Sequence, residues 1–112
     1  MKRGEIWWTA LGVPTGSEPG YRRPMVIVSN NLFNDSSYRT VLTVPLTSNL
    51  SREGAPGNVR LASRKTGLSK NSVAITSQVV PTDKTRFLDR IGCVPDDLML
   101  DIDAALRLVL AL

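Results

Sequence analysis

An arginine followed by proline, Arg23-Pro24, stands at the head of an apolar stretch, and Thr47-Ser48 closes the next one. β-Branched, sheet-forming sequence lies between them, so two strands would carry a cation and a hydroxyl to one end of a sheet. A guanidinium presents a planar fork to two phosphate oxygens and stays charged at every relevant pH, and a hydroxyl can hydrogen-bond a nonbridging oxygen. The chain has no histidine. Phosphate chemistry here would therefore run on arginine, hydroxyl and carboxylate groups. Taken alone, the same residues also have plainer readings: Arg23 as a solvated residue at a strand entrance, and Thr47-Ser48-Asn49 as a turn in which the threonine hydroxyl bonds nearby backbone.

The elements that must position these groups can be read from periodicity. Glu5 to Leu11 is strand-like and leads into a long loop from Gly12 to Gly20, which holds three glycines and two prolines. Pro24 to Ser29 reads as a buried strand, Leu32 to Arg39 as polar sequence with room for one helical turn, and Thr40 to Leu46 as a third strand with Pro45 near its end. A second long connection, Thr47 to Gly57, precedes the alternating segment Asn58 to Ala62, which predicts one wet face. Ser72 to Val80 reads as one further strand, Pro81 to Lys84 as a turn or short helix start, and Phe87 to Val94 as the last strand. From Pro95 the period becomes helical, with Asp96 and Asp97 in the first turn and Leu98, Ile102, Ala105, Leu106 and Val109 on one face. Asp101 and Asp103 are expected on the solvated face of that helix. The plan is a small sheet or barrel closed by a C-terminal helix.

The 112 residues suit one domain spanning 1–112, and the hydrophobic fraction of 42% with 21% charged is ordinary for a globular protein. No apolar run approaches a membrane span, and the N-terminal residues lack a signal-peptide pattern, so a cytoplasmic protein is expected. Cys93 is the only cysteine, which excludes an intrachain disulfide, and without histidine no recognisable zinc or thiol–histidine site assembles. A core or boundary thiol is expected. The net charge of +4 suits a polyanionic partner, and its distribution says more: residues 1–70 carry ten Lys or Arg against four Asp or Glu, and residues 71–112 four against six. Trp7 and Trp8, adjacent on a strand, should point to opposite faces, with at least one in the core and the other stacking on a base or buried between subunits. Gly12 to Gly20 lacks the Gly-Lys-Ser/Thr ending of a nucleotide phosphate loop, and no cofactor or metal is implied.

Lys2-Arg3-Gly4-Glu5-Ile6-Trp7, Gly16-Ser17-Glu18, Arg23-Pro24 with a strand ending Ser29-Asn30, and Val44-Pro45-Leu46-Thr47-Ser48 together resemble the MazF/PemK family of toxin endoribonucleases. The likeness continues through Gly67-Leu68, Ser72-Val73, Gln78, Asp83-Lys84, Arg86 and the helix ending Ala104-Ala105-Leu106, in order along nearly the whole chain. The resemblance implies an SH3-like β-barrel with a C-terminal helix, a homodimer that cuts single-stranded RNA without a metal. It also implies a cognate antitoxin whose acidic or amphipathic tail covers the RNA groove.

On this resemblance the catalytic arginine falls on Arg23 and the catalytic threonine on Thr47. Glu18 becomes a possible base or loop organiser, and Ser17, Arg22, Ser48, Asn49 and Gln78 become possible RNA contacts. The nucleophile would be the 2′-hydroxyl of the RNA, leaving a cyclic phosphate and a 5′-hydroxyl. One departure is visible. Family members often follow the glutamine matched by Gln78 with an apolar residue, arginine and threonine, whereas this chain has Val79-Val80-Pro81, so one contact is missing and base preference would differ. Two alternatives share the expected shape or charge: a CcdB-like poison of DNA gyrase, and a noncatalytic RNA-binding module.

Overall fold

A computed structural model describes residues 1–11 and 22–112; the expected loop from Gly12 to Gly20, with Ser17 and Glu18, lies outside them. Among the described residues, seven strands and three α-helices follow one another as β1 (Glu5–Ala10), β2 (Arg22–Ile27), α1 (Asn31–Asn34), β3 (Thr40–Thr47), β4 (Asn58–Leu61), α2 (Ser63–Thr66), β5 (Ser72–Ile75), β6 (Val80–Asp83), β7 (Phe87–Cys93) and α3 (Asp96–Leu110). All pairings are antiparallel, in the order β4-β5-β3-β2-β1-β7, with β6 alongside β3. The fold class is the one expected, mainly β with a C-terminal helix. The barrel is left open, since β4 and β7 are the two ends of the hydrogen-bonded path. What spans the gap is α2, whose last turn presses on β7: a Cβ added at Gly92 would stand 2.0 Å from the Thr66 carbonyl oxygen.

Most strand ends fall within a residue or two of the reading of the sequence, and two differences bear on the site and the sheet. Arg22 and Arg23 lie inside β2 rather than ahead of it, because β1 extends far enough for Thr9 and Ala10 to pair with them. The stretch Ser72 to Val80 is not one strand. It breaks at a 3₁₀ turn, Thr76–Gln78, and Pro81–Asp83, expected as a turn, joins Val80 in β6. The cause is β3, whose one edge serves both pieces: Thr40–Thr43 pair with β6, and Leu46–Thr47 pair with β5. Val44 and Pro45 fall between the two ladders on that side, where the donor that proline lacks is not called for. Buried Thr76 holds the break by donating its hydroxyl to the Gly57 carbonyl.

The core gathers Ile6, Val26, Val44, Leu46, Leu61 and Ala74 from five strands under Met99 and Ile102 of α3. Each large aliphatic group so buried contributes about 1.5–3 kcal/mol. Leu98 and Leu106 pack at its margin as the helical period predicts. Asp103 departs from its expected solvated position: it is half-buried, and Arg3 Nη2 lies 2.5 Å from its Oδ1 while Arg3 Nε donates to the Val28 carbonyl at 2.8 Å. That contact ties the chain ahead of β1 to α3. Cys93 is exposed, not in the core or at its boundary, because it is the last residue of an end strand. Among the described residues no helix is long and apolar enough to cross a membrane.

Candidate active site

The start of β2, the end of β3 and the start of β5 lie side by side at one end of the sheet. Met25 pairs with Pro45, and continuing that register by two residues sets Arg23 opposite Thr47. On its other side Thr47 pairs with Val73. Arg22, Arg23, Thr47 and Ser48 open onto one cavity of about 410 Å³. The cation and hydroxyl read from the sequence therefore share a concave surface. Arg23 is half-buried, which limits the guanidinium's freedom, and Thr47 is likewise half-buried beside exposed Ser48.

The plainer reading of Thr47 is present too, and it does not exclude the other. Its Oγ1 accepts the Asn49 N–H at 3.1 Å. A hydroxyl that accepts through a lone pair keeps its own proton to donate, so this bond aims the oxygen without using up its O–H. Asn49 is differently occupied. Its side-chain oxygen accepts from Ser51 N at 3.2 Å and Ser51 Oγ at 2.6 Å, capping the 3₁₀ turn Leu50–Arg52, and it does not line the cavity. Gln78 is exposed on the 3₁₀ turn beside α3 and is also absent from the cavity wall. Of the expected contacts, the structure thus brings Arg22, Arg23, Thr47 and Ser48 together and leaves Asn49 and Gln78 apart; Ser17 and Glu18 lie outside the described residues.

Two further groups complete the cavity. Lys70, in the turn ahead of β5, adds a third cation to the wall, and Trp8 stands beside Pro24, its partner in the β1–β2 ladder. The remaining wall mixes apolar Leu46, Leu68 and Ile91 with Ser69 and Ser72. No carboxylate lines the cavity among the described residues, and none pairs there with Arg22, Arg23 or Lys70. Such a wall is set up for anionic oxygens. Lys70 was invisible as a site residue in the sequence, because only the β5-β3-β2 strand order brings the segment after Gly67-Leu68 beside Thr47. The expectation of one core tryptophan is also corrected. Both are half-buried, Trp7 under Phe87 and Trp8 at the cavity.

Glu5 is placed away from the cavity but is electrostatically distinctive. Burial raises its pKa, but the Lys2 N–H at 2.9 Å, the Trp7 indole N–H at 3.1 Å and the Arg90 guanidinium at 3.2 Å outweigh it and hold the carboxyl below its ordinary value. It is therefore a structural anion. Among the described residues no group of three Cys, Asp or Glu side chains could enclose a metal ion.

Comparison with known proteins agrees in sequence and in shape. A family model described as PemK-like, MazF-like toxin of type II toxin-antitoxin system matches residues 2–110. Endoribonuclease MazF6 of Mycobacterium tuberculosis is 40% identical over 112 residues, 100% of this chain and 98% of the relative. Endoribonuclease EndoA of Bacillus subtilis is 30% identical over 112 residues, 100% of this chain and 96% of the relative. A solved mycobacterial endoribonuclease in complex with its cognate antitoxin superposes with a TM-score of 0.79 at 25% identity, covering 100% of this chain and 94% of that one.

Proposed function

The chain belongs to the PemK-like, MazF-like toxin family of type II toxin–antitoxin systems, and from that premise we propose that it is an endoribonuclease toxin in which Arg23 and Thr47 act on a single-stranded RNA phosphodiester. The reading is carried by one observation: the two residues stand on adjacent strand ends and open onto the same cationic cavity.

The chemistry follows from the groups present. The 2′-hydroxyl of the RNA gives up its proton and attacks the adjacent phosphorus, the O2′–P bond forms, and the P–O5′ bond breaks with water supplying a proton to the leaving oxygen, giving a 2′,3′-cyclic phosphate and a 5′-hydroxyl. Charge accumulates on the nonbridging oxygens of the five-coordinate phosphorus. Arg23 answers that charge with two N–H donors in a half-buried setting, which is worth more in the transition state than in the ground state. Thr47, aimed by the Asn49 N–H, donates to a nonbridging oxygen and fixes the in-line arrangement. Glu18 is proposed either to take the 2′-hydroxyl proton or to order its own loop. No metal has a part in this scheme. DNA, which lacks the nucleophile, is not a substrate.

The same cations suit an acidic segment of a cognate antitoxin lying over the cavity, and the working unit is proposed to be a cytoplasmic homodimer. Neither the gyrase reading nor the noncatalytic reading has an observation in its favour. The deciding experiment incubates purified protein with a long single-stranded RNA in the presence of a chelator. Discrete fragments bearing cyclic phosphate and 5′-hydroxyl ends, formed far more slowly in Arg23→Ala, support the reading. Uncut RNA, cutting that needs added metal, or cutting by Arg23→Ala at the parent rate overturns it.

A further inference from the structure

We propose that Trp8 and Lys70 form a nucleotide subsite beside the scissile phosphate, the indole stacking on one base and the ammonium holding the neighbouring phosphate; this deepens, and rests on, the endoribonuclease reading above.

The two tryptophans of β1 are used differently. Trp7 meets Phe87 edge-on, with ring centroids 5.9 Å apart and planes at 81°, and its indole N–H donates to Glu5. Trp8 has neither an aromatic neighbour nor an indole hydrogen bond among the described residues. It is half-buried and lines the cavity, with Leu46, Leu68 and Ile91 supplying the adjoining apolar surface. An aromatic ring so placed is a platform for a base, because every base has a π-face and needs no particular edge to stack.

The cations are disposed on either side of Thr47. Sheet order β5-β3-β2 sets the starts of β5 and β2 two strand spacings apart, about 10 Å. Arg23 stands at the second of these and Lys70 just ahead of the first. An extended RNA strand crossing the sheet end meets Arg23 and Thr47 with one phosphate and Lys70 with the next. The wall that carries Lys70 is closely backed at its start: Gly67 has φ +86° and sits so near β7 that a Cβ there would lie 2.9 Å from the Ile91 carbonyl oxygen. Gly67 and buried Leu68 thereby anchor the start of the turn against the sheet, and Lys70 stands exposed two residues farther on.

The test uses a fluorescein-labelled, random-sequence 2′-O-methyl single-stranded RNA, which lacks the nucleophile and stays intact. Lys70→Ala is expected to lower affinity about tenfold at low salt and to reduce the slope of log affinity against log salt by about 0.7, with Lys70→Arg restoring both. An unchanged slope overturns the ammonium–phosphate assignment. In Trp7→Phe, which keeps an aromatic edge against Phe87, the emission of Trp8 is expected to fall on adding the probe and to stay constant on adding an abasic analogue. Emission indifferent to the probe overturns the stacking assignment. Protein that gives both signatures but leaves ordinary RNA uncut supports the subsite and sinks the nuclease reading instead.

Discussion

Arg23 and Thr47 are separated by 23 intervening residues in the chain and lie on neighbouring strands, each two residues beyond the Met25–Pro45 pair, so each can be tested by its own side-chain substitution. Arg23→Ala should lower the rate of single-turnover RNA cleavage about 10²–10³-fold, the range for loss of one preorganised donor to a developing oxyanion. Thr47→Val keeps the branched shape and removes only the hydroxyl; a loss of tens of fold or more in the same assay is expected, with little change in melting temperature. Glu5 makes a separate prediction, about stability and not catalysis. Its folded-state pKa is lowered, so its contribution is present above the unfolded-chain value near about pH 4.3 and is lost as pH falls through the folded value. Glu5→Gln should therefore cost about 1 kcal/mol at pH 7 by urea titration. The difference from the parent should vanish in acid, below the usual carboxylate range.

At the scale of elements, β3 and α2 explain most of what could and could not be read in advance. Strand β3 was legible from its apolar, β-branched run, and α3 from its period and from Asp96-Asp97 in its first turn. The break between β5 and β6 was not. Ser72 to Val80 satisfies every local preference for one strand, and the decision to split it is taken by β3, a partner some thirty residues away, together with the Thr76–Gly57 bond. The site divides in the same way. Arg23 and Thr47 were visible because each falls at the end of its own strand, whereas Lys70 belongs to a turn whose place depends on sheet order. Asp103 was misjudged because a helical wheel shows which face is wet but not that Arg3 reaches over to cover it. The close packing of α2 on β7 yields a direct prediction. Gly92→Ala forces a methyl group into the Thr66 carbonyl, backbone against backbone, and should destabilise the fold by about 3 kcal/mol in equilibrium unfolding.

Over the whole molecule, positive charge is concentrated in residues 1–70, and three of those cations, Arg22, Arg23 and Lys70, line one cavity. If each meets one phosphate, the logarithm of RNA affinity should fall against the logarithm of salt with a slope of about −2, so that raising salt from about 50 to 200 mM weakens binding about twentyfold. Fluorescence anisotropy across that range measures it, and a flat profile would show that the cavity does not hold the RNA backbone. The cavity also has a history in time. Its walls come from β2, β3 and the approach to β5, and the last of these docks beside Thr47 only through a pairing with Val73. A nascent chain halted at the end of α2 possesses the arginine and the threonine but no complete groove. The groove is therefore whole only once β5 has been made and has joined β3 beside Thr47.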